Sequence, residues 1–81
     1  MQCYVYRSSK KAETYLYLPQ KDEFSHLPAA LLTVFGKLEF ALEFELTPDR
    51  KLAAADAEQV LSNLTAQGYY LQMPPENEYP V

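Results

Sequence analysis

Tryptophan is absent from this chain, cysteine and histidine occur once each, and only two of its 81 residues are glycine. Each scarcity removes a class of function. Cys3 alone forms no internal disulfide and cannot build a zinc site, and His26 has no second histidine or cysteine to join it. Two glycines leave no room for a glycine-rich phosphate loop. No apolar run approaches the ~20 residues of a membrane helix, and the opening MQCYVYRSSKK lacks the basic-then-apolar order of a secretory signal. A cytoplasmic location without membrane contact is the expectation.

Catalytic chemistry has little to stand on. Ser8 and Ser9 have no identifiable base, and His26, beside a helix start, reads as a surface or capping residue rather than a general base. Glu39, Glu43 and Glu45 alternate onto one strand face, where a solvated surface outweighs a cation site that would need several converging oxygens. No catalytic residue, metal or cofactor is assigned, and the balance leans away from an enzyme. Cys3 sits in an apolar alternation and reads as a buried structural thiol.

What is present suits a folded globule, with 48% hydrophobic and 22% charged residues. The organisation expected is one domain over 1–75 and a flexible tail over 76–81. A chain this short removes only roughly 60% of its unfolded surface from water, so its core is thin. The net charge of −4 argues against generalised phosphate neutralisation. Yet the first 21 residues carry Arg7, Lys10, Lys11 and Lys21 against Glu13 alone, a local +3, while residues 22–81 carry −7. A positive hairpin on an acidic body is predicted.

The segments CYVYR (3–7) and TYLYLP (14–19) are aromatic and β-branched and read as strands joined by SSKKAE, a connection without glycine and therefore not a tight primed turn. Apolar positions 24, 27, 31, 32 and 35 predict a helix from Phe24 to Phe35, with Ser25 as N-cap, Pro28 in the first turn and Gly36 as the stop. LEFALEFEL puts Leu38, Phe40, Leu42, Phe44 and Leu46 on one face of a strand and the glutamates on the other. TPDRK (47–51) is a turn. A second helix runs from Asp56 to Gln67, where Asp56 and Gln59 resemble a capping box and Gly68 ends it, and YYLQM (69–73) is a fourth strand. The order ββαβαβ implies an α+β fold, a four-stranded mixed or antiparallel sheet with two helices, and leaves open whether both helices lie on one face or one on each.

If Val5, Leu16, Leu18, Phe40, Phe44 and Leu71 face the helices, Tyr4, Tyr6, Tyr15, Tyr17 and Tyr70 share the opposite face. Such rings could stack bases or lock into a protein, or they could simply stabilise the sheet. RSSKK could hold a small anion or could be a solvated turn.

Several of these stretches resemble a known family. Tyr6-Arg7-Ser8, Tyr15-Leu16-Tyr17, KDEFSHLP and Gly68-Tyr69-Tyr70-Leu71-Gln72 are similar to segments of the YcgL family of small gammaproteobacterial proteins, across Cys3 to Pro75. The strand KLEFALEFEL and the tail match less distinctively. The resemblance implies a compact α/β domain whose four-stranded sheet is sandwiched by helices, and it implies no activity. The expected function is a non-enzymatic macromolecular interaction module with Tyr6, Arg7, Ser8, Lys10, Lys11, Tyr15 and Tyr17 as its surface. Its partner is a protein rather than RNA. The alternatives are an anion-binding protein or enzyme using Arg7, Ser8 and Ser9, or RNA binding through the aromatic face. Homo-oligomerisation through an uncovered strand edge is compatible with the sequence, which does not demand it.

Overall fold

A computed structural model describes residues 1–52 and 55–73. The tail expected over 76–81 lies outside the described residues. Strand β1 is Gln2–Ser8, β2 is Tyr15–Leu18, helix α1 is Ala29–Phe35, β3 is Leu38–Glu45, α2 is Ala57–Ala66 and β4 is Tyr70–Gln72. All three strand pairings are antiparallel, in the order β3-β1-β2-β4. The ββαβαβ order of an α+β fold is what the sequence predicts.

The inner strands dictate the layers. On β2, Leu16, Tyr17 and Leu18 are buried in succession, so neither face of this strand can stay wet. Cross-strand partners share a face. One face therefore carries Tyr4, Tyr6, Leu16, Leu18 and Leu71, and it is covered by Leu31, Leu32 and Phe35 of α1 together with Phe24 and Leu27. The other carries Cys3, Val5, Tyr17 and Tyr70, and Ala57, Val60 and Leu64 of α2 close over it. One helix lies on each side. Each fully buried leucine or phenylalanine contributes about 1.5–3 kcal/mol, so two thin cores replace one thick one.

This arrangement corrects the expected sorting of the tyrosines. Tyr4 and Tyr6 lie on the α1 face, whereas Tyr15, Tyr17 and Tyr70 lie on the α2 face. The alternation Tyr-Leu-Tyr-Leu does not separate wet from dry, because both residue types are apolar enough to bury. Strand β3 is corrected too. Val5 pairs with Leu42 but Tyr6 pairs with Phe40, so Ala41 is an extra residue, a β-bulge. The bulge shifts the alternation by one. Leu38 and Phe40 turn to the α1 face and Leu42 and Phe44 to the α2 face, and the glutamates divide likewise.

Helix α1 begins four residues after the expected cap. Ser25 donates its hydroxyl to Glu23 Oε1, which also accepts Ser25 N–H at 3.0 Å, so that side chain is committed outside the helix. Pro28, extended at φ −60° and ψ 140°, is the N-cap. Its ring disfavours a helical Leu27, which holds the start back. Asp56 caps α2 through its backbone and makes no side-chain cap bond, so the expected capping box is not formed. Both helices end at a glycine in the left-handed region. Gly36, at φ +80°, donates its N–H to Leu32 O at 2.9 Å, and Gly68, at φ +85°, donates to Leu64 O at 3.2 Å.

Gly36 is also sterically enclosed, since a Cβ there would lie 2.6 Å from Ser9 Oγ and 2.7 Å from Lys10 Cγ. Gly36→Ala is expected to lose about 1–3 kcal/mol of stability from strain and crowding together. Urea denaturation read by circular dichroism checks this, and an unchanged midpoint contradicts it.

Candidate functional site: the hairpin turn and an open cleft

The β1–β2 connection closes through Ser8 N–H donating to Thr14 O at 3.0 Å, with Glu13 at φ 55° making the left-handed turn that a glycine would make more cheaply. Ser8 organises what lies between. Its hydroxyl donates to Phe35 O at the end of α1 and accepts the N–H groups of Lys10 at 3.1 Å and Lys11 at 3.0 Å. Beside it, Ser9 Oγ accepts Lys37 N–H at 2.7 Å and Ser9 N–H donates to Lys37 O at 3.2 Å. Two successive backbone N–H groups that could cradle an anion are already turned onto a hydroxyl of their own chain. The two serines are a clasp between the hairpin and the α1–β3 turn.

The tyrosines of the expected surface are similarly engaged. Tyr6 is 1% exposed. Its hydroxyl donates to Asp22 Oδ1 at 3.0 Å and accepts Asp22 N–H at 2.7 Å, which pins the loop after β2. Tyr17 is 7% exposed and donates to Gln72 Oε1 at 2.6 Å across to β4. Burial pushes its phenol up to about 12. Thus Tyr6, Ser8 and Tyr17 are buried, a correction to the wet, common face read from the sequence. Arg7, Lys10 and Lys11 are exposed and Tyr15 is half-buried, but they do not converge. Arg7 and its cross-strand neighbour Tyr15 lie on the α2 face, where Arg7 Nε stands 3.5 Å from Glu39 Oε1. Lys10 Nζ reaches back to Thr33 O of α1 at 3.2 Å.

The remaining singled-out groups are structural. His26 Nε2–H donates to Gly68 O at 2.9 Å and ties the loop before α1 to the α2–β4 turn. Glu39 faces away from Glu43 and Glu45 across the bulge, and among the described residues no group of three acidic, His or Cys side chains could hold a metal. Cys3 is completely buried, and burial pushes its thiol up to about 11.

A different feature stands open. Beyond the end of the surface that α2 covers, a cleft of about 340 Å³ is floored by Val5, Tyr15, Tyr17, Leu42 and Phe44, and Arg50, Lys51, Leu52 and Gln72 complete its wall. Leu42 is 50% exposed there. The Arg50 guanidinium sits 4.4 Å over the Phe44 ring and donates through Nη1 to Glu45 O at 3.3 Å. Among the described residues, no carboxylate lies within ion-pair distance of Arg50 or Lys51. The arrangement is an apolar floor with positive charge at one rim, within the volume range of ligand clefts. Reading TPDRK as a turn concealed it. Arg50 N–H does close that turn on Thr47 O at 3.0 Å, yet the side chains beyond it belong to the cleft.

The family follows from this fold and from the comparisons. The YcgL domain model matches residues 3–75. A YcgL domain-containing protein of Thioalkalivibrio sulfidiphilus is 57% identical over 81 residues, all of both chains. One from Yersinia enterocolitica is 51% identical over 96% of this chain and 87% of its own, and one from Stenotrophomonas maltophilia is 49% identical over 93% and 87%. The chain belongs to the YcgL domain family. Among the described residues no helix is long and apolar enough to cross a membrane.

Two outcomes test the buried groups. Ser8→Ala leaves Phe35 O and two N–H groups without their partner, and a loss of about 1–3 kcal/mol is expected against less than about 0.5 kcal/mol for Lys11→Ala, both measured by urea denaturation. The second concerns alkali. The folded values of Cys3 and Tyr17, about 11 and about 12, lie above their usual 9.0 and 10.0. The protonated forms are favoured by folding, so their contribution is complete below ~pH 9 and is lost as pH rises towards ~12. The urea midpoint should therefore fall through that window, and Cys3→Ala should fall less steeply from its own neutral value.

Proposed function

We propose that this chain is a non-enzymatic interaction module that engages a protein partner at the cleft on the α2 face, with Arg7 and Tyr15 of the hairpin on its border. The observation that carries this reading is the half-exposed Leu42 beside Phe44, at the end of the surface that α2 covers, with Arg50 and Lys51 at the rim and, among the described residues, no carboxylate within ion-pair distance of either. Exposed apolar surface rimmed by charge is a common character of protein contact sites. A matching partner segment is acidic and carries an apolar side chain. Lys10 and Lys11 extend the positive field near the hairpin and steer such a segment without touching it.

The two alternatives have less support. A small anion at Arg7, Ser8 and Ser9 would have to displace the serine hydroxyls from the backbone groups they already satisfy. Base stacking needs several rings on one wet face, and the five tyrosines of the sheet are divided between two faces.

Leu42→Lys tests the reading with little disturbance of the core, because half of that side chain already meets solvent. In an affinity capture from a bacterial extract, proteins retained by the wild type and lost by Leu42→Lys are expected. Arg7→Ala combined with Lys10→Ala and Lys11→Ala should slow capture and make it less salt-sensitive. Identical partner sets for wild type and Leu42→Lys would remove the cleft from consideration. A salt-sensitive shift of a labelled oligonucleotide would favour RNA instead.

A further inference from the structure

The α2 face of strand β3 is complementary to itself. Opposite the alternating Cys3, Val5 and Arg7 of β1 stand Phe44, Leu42 and Glu39. Because the bulge absorbs Ala41, Leu42 lies midway between the other two, about 7 Å along the sheet from each. At one end, Arg50 stands 4.4 Å over the Phe44 ring and Lys51 lines the cleft beside it. At the other end is the Glu39 carboxylate. An apolar centre thus carries positive charge on one side and negative charge on the other.

Such a row matches itself when turned round. A two-fold axis at Leu42, lying in the plane of contact and perpendicular to the strand, sets Leu42 against Leu42 of a second copy and brings Glu39 of each chain to the Arg50 end of the other. With the strands running the same way, Glu39 would meet Glu39 and Arg50 would meet Arg50, so charge selects the antiparallel arrangement. The positions are accessible to such a contact. Leu42 is 50% exposed, the Glu39 side chain is 51% exposed, and Arg50 and Lys51 are exposed. Arg7 Nε approaches Glu39 at Oε1, and a carboxylate accepts several donors, so the ion pair within the chain leaves capacity for a cation from another.

We propose that two copies of this chain pack face to face through their clefts, with Leu42 at the two-fold axis and Glu39 of each copy set against Arg50 and Lys51 of the other. The proposal rests on reading the cleft as a protein contact surface, and it names a second copy as an occupant that supplies the acidic group and the apolar side chain such a surface takes. One apolar centre and two solvent-exposed charge contacts make a small interface, so the dimer is weak and exchanges with the single chain.

Sedimentation equilibrium of the full chain tests this. Between about 0.02 and 1 mM the average mass should rise from one chain towards two, as a small interface requires. Leu42→Lys should hold the mass at one chain throughout. Glu39→Lys alone, and Arg50→Glu with Lys51→Glu alone, each set like charges together at both contacts and should weaken association at least about tenfold. Mixing the two variants restores opposite charges at both contacts of the mixed dimer, and association should return to within about threefold of the wild type. In 13C-methyl spectra of the wild type, the Leu42 signals should move with concentration while those of Leu31 and Leu32 on the α1 face stay fixed. A one-chain mass at the highest concentration would overturn the proposal, as would a mixture that associates no better than either variant alone or shifts confined to the α1 face. The outcome is separable from the functional reading. Partners lost by Leu42→Lys with a one-chain mass remove only the dimer, and a dimer abolished by Leu42→Lys with an unchanged captured set removes only the foreign partner.

Discussion

Everything in this fold follows from the two inner strands being apolar on both faces. An antiparallel sheet usually keeps one face wet, and a single helical layer is then enough. Here β2 buries Leu16 and Leu18 on one side and Tyr17 on the other, and β1 buries Tyr6 and Ser8 opposite Cys3 and Val5. Neither side can be surrendered to solvent. The chain meets this with one crossover helix per face: α1 joins β2 to β3 around β1, and α2 carries the chain from one sheet edge to the other.

The edge strand β3 shows how a local irregularity serves that two-sided core. Without the extra residue at Ala41, Phe40 and Phe44 would point the same way and one face would be overfilled. With it, Phe40 packs edge-on against Tyr6 at 5.6 Å and lies under Lys21, while Phe44 packs against Tyr17 at 6.5 Å and lies under Arg50. Each of these two phenylalanines thus meets an inner-strand tyrosine on one side and a loop cation on another. Such cations contribute about 0.5–1 kcal/mol each and, with Glu39, Glu43 and Glu45, they discourage edge-to-edge pairing.

Legibility in the sequence tracks how local each cause is. The helix ends were readable because Gly36 and Gly68 are the chain's only glycines and each sits where a left-handed residue is needed. Strand positions were readable from aromatic and β-branched content. The face of each tyrosine was not, since Tyr-Leu-Tyr-Leu alternates between two residues that both bury and the decision falls to long-range partners such as Asp22 and Gln72. The bulge was invisible because LEFALEFEL is a flawless period-two pattern until it is set against β1. Likewise, Ser8 and Ser9 read as ligand donors because their acceptor and donors at Phe35, Lys10, Lys11 and Lys37 are fixed only by folding.

The cleft itself is a consequence of covering a sheet with one helix per side. A helix is about 10 Å across, and four strands at about 4.8 Å spacing make a broader floor, so any single helix leaves a strip uncovered. On the α1 face that strip is filled by the connection after β2. Phe24 and Leu27 pack into it, Asp22 secures it through Tyr6, and His26 binds it to the α2–β4 turn. The connection before α2 is different in kind. It turns at once through Thr47 and Arg50 and brings Leu52 and Ala55 to the core margin, which leaves Leu42 with half its surface in solvent. The same plan therefore yields one face whose strip is packed by its linker, with only the β3 edge at Phe40 left half exposed, and one face with an open cleft, and the difference lies in what each crossover linker carries. An apolar floor with Leu42 half in solvent, beside cations that have no carboxylate within ion-pair distance among the described residues, has the character of a surface that a protein partner covers, and this supports the functional reading proposed for this face.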